Sequence, residues 1–178
     1  MQEQVLEFWF HELSPEQWWQ HDPELDAVIE HKFANLHTQA ELGELYTWRA
    51  EPHGALAEVI ILDQFSRHIY RDTPKAYASD AQALALAQIA VSQGLDQQLT
   101  PDERLFLYLP YMHSESPFIH EIAMGLFTAL GKPTNLDFEY RHKVIIDRFG
   151  RYPHRNDILG RASTDAEIAF LKQPDSSF

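Results

Sequence analysis

Helix punctuation recurs along this chain from one end to the other, and it leaves little room for any fold but a helical one. Ser14-Pro15-Glu16-Gln17, Ser79-Asp80-Ala81-Gln82, Thr100-Pro101-Asp102-Glu103 and Thr164-Asp165-Ala166-Glu167 each place a hydroxyl at the N-cap and Glu or Gln three residues on. That is the spacing at which side chain and backbone cap one another. Pro takes the first helical position in two of these and again in Ser116-Pro117, where its missing N–H costs nothing. Gly94, Gly131 and Gly150 each close a periodic apolar stretch, as a left-handed C-terminal cap requires. Strand signals are absent. The spacing predicts helices near residues 2–11, 15–20, 23–41, 53–70, 79–93, 101–112, 117–130, 135–149 and 164–172.

Most of these helices are one-sided, with Leu25, Val28, Ile29, Leu36 and Ala40 forming one stripe and Ile119, Ile122, Ala123, Leu126 and Leu130 another. Such helices must lean on a buried one. Residues 53–70 fit that role, because Leu56, Val59, Ile60, Ile61, Leu62, Phe65 and Ile69 surround the whole wheel. Connections are short enough for antiparallel helix pairs to stack, and no fixed-period repeat is evident. No Ser, Gly or Pro stretch is long enough for a linker. The reading is all-α, with residues 1–178 as one compact domain.

Composition narrows the function classes. The absence of cysteine excludes a disulfide scaffold and Cys-ligated metal, and it suits a reducing cytosol. The longest apolar run, Leu105 to Met112, spans eight residues and contains Pro110, against the ~20 of a membrane span. Met1-Gln-Glu-Gln carries no basic region, so no secretory signal is expected. The formal net charge is −13, which repels nucleic acid and anionic lipid. A cytoplasmic protein without nucleic-acid or membrane partners is expected. The charge is uneven: residues 1–60 hold twelve acids and two bases, whereas residues 141–178 hold five acids and seven bases. Six of the fourteen bases lie between Arg141 and Arg161. They either neutralise the acidic N-terminal half or form a local anion site, for which arginine's planar fork is the better tool.

Three constellations could carry chemistry. Asp63, Gln64, Arg67 and Arg71 fall on one side of the buried helix, within about 100 degrees of arc. Asp63 and Arg67 have the favourable i,i+4 orientation, but the arginines offer more donors than Asp63 accepts. The surplus implies further acids nearby, a wet cavity or a ligand. His113-Ser114-Glu115 sits at a helix junction, where His113 would serve as acid/base and Glu115 as its orienter; alternatively Glu115 or Ser114 caps the next helix. His120-Glu121 begins like a zinc-protease motif, but position 124 is Met, so that reading fails. Asp147-Arg148-Phe149-Gly150-Arg151-Tyr152-Pro153-His154-Arg155-Asn156 alternates aromatic and cationic side chains on a rigid backbone. It continues through Arg161 to a helix N-terminus. His142 lies on the apolar face of its helix and reads as a packed core histidine. Phe8, Trp9, Phe10, Trp18 and Trp19 read as an aromatic lid on the core.

At Leu62-Asp63-Gln64-Phe65-Ser66-Arg67, Tyr108-Leu109-Pro110-Tyr111-Met112-His113-Ser114-Glu115 and Arg148-Phe149-Gly150-Arg151-Tyr152-Pro153-His154-Arg155-Asn156 the chain resembles an uncharacterised, mainly bacterial family, the domain of unknown function 924. Val5-Leu6-Glu7-Phe8-Trp9-Phe10 and the tail from Leu159-Gly160-Arg161 match its style too. The resemblance implies a single all-helical domain of the tetratricopeptide-like superfamily, its helix pairs stacked in a right-handed array. It implies no reaction. Its polar motifs fall on Asp63, Gln64, Arg67, His113, Glu115, Arg148, Arg151, His154, Arg155, Asn156 and Arg161. The family pattern expects Pro, Asn and Gln where this chain has Ser66, His68 and His120.

Two functional readings follow, neither needing a metal or a cofactor. In the first, the arginines bind the phosphate or carboxylate of a small molecule in a pocket, with His113 and Glu115 available for catalysis. In the second, the same arginines grip an acidic peptide in an open groove. A purely structural reading has the polar residues satisfy one another. The burial of the helix carrying Asp63, Gln64 and Arg67 favours the first, since a peptide groove does not reach it.

Overall fold

The computed structural model describes residues 1–174, 176 and 177. It is all-α, with no strand among those residues. In chain order the helices are α1 (Gln2–Glu7), α2 (Pro23–Glu41), α3 (Pro52–Ile60), α4 (Ser66–Ile69), α5 (Asp80–Ser92), α6 (Pro101–Met112), α7 (Pro117–Leu130), α8 (Pro133–Phe149) and α9 (Asp165–Phe170). None of the described helices is long and apolar enough to cross a membrane.

The expected punctuation is used. Gly94, Gly131 and Gly150 adopt φ of 70°, 73° and 68°, the left-handed caps their positions call for. Thr164 and Glu167 form a reciprocal capping box, and Thr100 and Glu103 exchange the same pair of bonds. Ser79 is diverted: its hydroxyl reaches Glu41 Oε1 at 3.4 Å and Gln82 reaches the Ala40 carbonyl, so tertiary contacts replace the cap.

Three expectations are corrected. Residues 15–20 form isolated turns, closed by Gln17 N–H to Ser14 and Trp19 N–H to Glu16 carbonyls, and not a helix. Trp18 donates to the Trp9 carbonyl at 2.7 Å, and both Trp18 and Trp19 pack on Phe106. Those long-range contacts outweigh a helix too short to nucleate alone. The expected helix 53–70 runs as α3, a π-helical turn at Ile61–Phe65 and α4. The expected 2–11 likewise ends in a π-helical turn at Phe8–Glu12. Such wide turns are uncommon and gather at functional sites or at points of packing adjustment. Short 3₁₀ turns at Tyr46–Ala50, Pro74–Tyr77, Leu95–Gln98 and Pro153–Arg155 had no periodic signal to announce them.

The described chain divides into two compact units, Met1–Arg71 with Lys75–Pro110 and Asp72–Pro74 with Tyr111–Phe178. The boundary in the later sequence lies within α6, at the helical Pro110, and not at a linker. Unit 1 is built around α3 and its π-helical continuation, in which every residue from 54 to 66 is buried. The aromatic terminus packs there as expected: Trp9 is 0% exposed and meets Phe65 and Phe106 edge to face. Gly54 marks its tightest approach, since a Cβ there would lie 2.2 Å from the Trp48 carbonyl oxygen and 2.9 Å from its carbon. Backbone cannot yield as a flexible side chain does, so Gly54→Ala is expected to cost about 2 kcal/mol or more, read as a lowered urea midpoint with unchanged slope. A neutral result would mean that the 3₁₀ turn moves freely.

Unit 2 is framed by α7 and α8, joined across Gly131 and Lys132. Ile145, Ile146 and the loop residue Tyr152 form a buried core, with Phe149 and Phe170 packed against it. Tyr152 is 0% exposed although it stands in a loop, and this burial brings the Arg-rich segment onto α7 and α8.

Candidate functional site

In unit 1 the polar groups of the central helix are held by acids. Gln64 donates to Asp63 Oδ2 at 2.6 Å, and Arg67 donates to the Asp63 carbonyl at 2.7 Å. The Arg67 fork also grips Asp80, at 2.9 and 3.1 Å, and lies 3.3 Å from Asp63 Oδ1. Burial opposes its charge, but Asp63 and Asp80 hold the guanidinium protonated well above its ordinary range. Arg71 is gripped by Asp26, which also holds His68 Nδ1 at 2.7 Å. Against the cost of burial, Arg71 and His68 keep the Asp26 carboxyl below its usual range. Of the three outlets the sequence left for the surplus arginine donors, further acids are supplied by Asp80 and Asp26.

In unit 2 the Glu115 carboxylate, the expected orienter of His113, is engaged by Arg161 and Tyr152. Arg161 grips Glu115 bidentately at 2.6 and 2.9 Å, and the Tyr152 N–H donates to the same carboxylate at 2.7 Å. Burial works against the charge on Glu115, but these donors hold its carboxyl below the ordinary value. Arg161 also donates to Asn156 Oδ1, and the Asn156 amide donates to Ser163. Arg151 grips Glu167 at 2.7 and 2.8 Å, and with the backbone and hydroxyl of Thr164 it lowers that carboxyl to about 2. Arg151, Asn156 and Arg161 thus clasp the loop to α9 and to the start of α7. Arg148 is exposed, its guanidinium 4.6 Å from the Phe149 ring and 5.8 Å from that of Phe170.

Two more of the expected residues, His154 and Arg155, flank the Tyr152 ring. His154 lies 5.5 Å from it between centroids, and the buried Arg155 places its guanidinium carbon 4.6 Å away. Two histidines that the motifs did not assign to the site join them: His120 at 6.3 Å and His142 at 5.6 Å. His113 is half-buried and close enough to repel charge on His142. His142 is a buried core histidine, as its helical face suggested, donating from Nδ1 to the Phe138 carbonyl at 2.7 Å. Burial above all holds it down to about 3; the Phe138 bond opposes this, and His113, His120 and His154 add to it.

His120 makes a close histidine–carboxylate contact, Nδ1 to Glu139 Oε1 at 2.7 Å, with both side chains fully buried. Its other nitrogen faces the Ser114 carbonyl at 2.8 Å and the Tyr152 hydroxyl at 3.2 Å. Burial raises the Glu139 carboxyl above its ordinary value, although His120 and Lys143 pull the other way. The sequence hint was only that Glu139 stands on α8 among apolar neighbours, 19 positions from its partner. Among the described residues no group of three or more His, Asp or Glu is arranged to hold a metal ion.

Comparison with known proteins relates the chain to a family and to a solved structure whose descriptions name no function. The solved structure titled "Structure of Protein of Unknown Function ATU0120 from Agrobacterium tumefaciens" is similar to this chain at 34% identity, covering 96% of each, with a TM-score of 0.92. No curated protein matches. The family described as "Bacterial protein of unknown function (DUF924)" matches residues 5–175. Near-complete coverage on both counts makes the conclusion plain: the chain belongs to the DUF924 family.

Proposed function

We propose that the protein binds a small phosphate- or carboxylate-bearing anion at the histidine cluster around Tyr152, with His113, His154 and Arg155 as its contacts. The observation that carries the reading is the gathering of His120, His142, His154 and Arg155 about one buried ring, in a chain whose formal charge is −13. A cluster of imidazoles and one guanidinium in an anion-repelling body selects for a compact charge over a polyanion. Asp63, Gln64 and Arg67, by contrast, serve the interior of unit 1. The small ligand is preferred to an acidic peptide because Arg155 and Asn156 are 6% and 1% exposed, too enclosed to face a groove. We place the protein in the cytoplasm on its composition, and take the tetratricopeptide-like stacking of its helix pairs as part of the same proposal.

Calorimetric titration with inorganic phosphate and with acetate tests the reading. Binding of one of them is expected, weakened about tenfold or more in the His113→Asn, His154→Asn double variant, as the loss of charge-assisted hydrogen bonds implies. Equal binding by the variant, at unchanged stability, would remove the site from this cluster.

A further inference from the structure

His120 presents an acceptor to each of its ring nitrogens. Nε2 lies 2.8 Å from the Ser114 carbonyl oxygen, which can only accept, so this nitrogen carries a proton. The Tyr152 hydroxyl donates to the Met112 carbonyl at 2.5 Å, so toward Nε2 at 3.2 Å the phenolic oxygen acts as an acceptor as well. Nδ1 lies 2.7 Å from Glu139 Oε1. An imidazole lone pair and a carboxylate lone pair do not share a distance that short; a proton stands between them.

Where that proton rests follows from the surroundings. Both side chains are fully buried, and a desolvated ion pair is stable only when its remaining oxygens are served. Glu139 Oε2 is buried with no hydrogen-bond partner among the described residues, a poor setting for half of a carboxylate and an acceptable one for the carbonyl of a carboxylic acid. Burial shifts the Glu139 carboxyl in the same direction. The ordered chain is then Glu139 O–H to His120 Nδ1, Nε2–H to Ser114 and Tyr152, and Tyr152 O–H to Met112.

We infer that Glu139 is a neutral carboxylic acid in the unliganded protein and hands its proton to His120 when an anion occupies the histidine cluster. The inference rests on the anion-binding reading above. The step balances within the couple: the Oε1–H bond breaks, the Nδ1–H bond forms, and no outside acid or reductant takes part. Its result is an imidazolium hydrogen-bonded to the Tyr152 hydroxyl and a carboxylate on the far side of the ring. Positive charge is therefore made on the Tyr152 side only when an anion is there to stabilise it. Glu139 acts through His120 and is a positioning residue.

The test is infrared difference spectroscopy of the full chain with and without inorganic phosphate, beside calorimetry on the same samples, for wild type and Glu139→Gln. The glutamine amide can donate to Nδ1 and keeps the couple neutral, but it has no proton to give. Expected are a protonated-carboxyl stretch in unliganded wild type, its absence from E139Q, its replacement by a carboxylate band when phosphate binds, and about tenfold weaker phosphate binding by E139Q. Should E139Q not fold, wild type labelled with 13C at the glutamate side-chain carboxyl assigns the band by its isotope shift. A missing acid band overturns the inference. So does a band that stays unchanged while calorimetry shows phosphate bound, a result that leaves the anion site standing. An acid band in a protein that binds no phosphate removes the anion reading, and the proton hand-over with it.

Discussion

Lowering the pH from 7 to 5 is expected to cost about 2 kcal/mol of stability through His142 alone. In the folded protein burial holds this ring down to about 3, whereas in the unfolded chain it titrates near 6.5. Between those values the unfolded state binds a proton that the folded state refuses, so stability rises with pH. The contribution is fully present above about pH 6.5 and is lost progressively as the pH falls toward 3. His37 and His68, also held below their ordinary value chiefly by burial, act with the same sign. The carboxylates act in a separate window: Glu167, held at about 2 by Arg151 and Thr164, keeps its stabilisation until the pH drops below about 4.5 and loses it toward 2. Urea unfolding at pH 7, 6 and 5 therefore lies above the Glu167 window. His142→Phe should flatten the slope by about 2 kcal/mol over that interval; an unchanged slope would show that water reaches the ring.

Arg67→Met is expected to destabilise the protein by about 3 kcal/mol, within the range for removing one partner of a buried ion pair. Methionine fills the space of the aliphatic stem, so the loss is electrostatic. Asp63, fully buried, loses its i,i+4 counter-charge at 3.3 Å, and Asp80 loses a bidentate grip. Arg67→Lys should fall between, because an ammonium keeps the charge without the fork that spans Asp63 and Asp80 together. Urea midpoints at constant slope measure both. An Arg67→Met variant within 1 kcal/mol of wild type would mean that the network does not hold unit 1, and would return Asp63, Gln64 and Arg67 to the list of ligand contacts.

What the sequence made legible was local. Capping hydroxyls, N-terminal prolines and terminal glycines act within a few residues, and the all-round apolar wheel of residues 53–70 records burial directly. The π-helical turn inside that stretch was not legible, because one extra residue in the hydrogen-bonding ring leaves the apolar pattern almost intact; the polar pair Asp63-Gln64 within a buried run was its only trace. The stretch 15–20 misled for the opposite reason, since a correct-looking cap at Ser14 was outweighed by tryptophan contacts reaching Phe106. Site residues were located more easily than their partners were assigned. Glu115 was marked as an orienter, but its grip by Arg161 spans 46 positions, and the contact of His120 with Glu139 spans 19. Ion pairs over such separations are fixed by how α7, α8 and the Tyr152 loop pack, and a linear pattern carries no record of that.

Side-chain NMR of the ten histidines during titration with inorganic phosphate tests the proposed anion site at the Tyr152 cluster. His11, His21, His31 and His53 are exposed and serve as controls for nonspecific binding. Expected are saturable shifts at His113, His154 and His120, a change of protonation at His120 Nδ1, and little response from the four exposed rings. Uniform, non-saturating shifts across all of them, with the cluster no more responsive than His11 or His53, would contradict it.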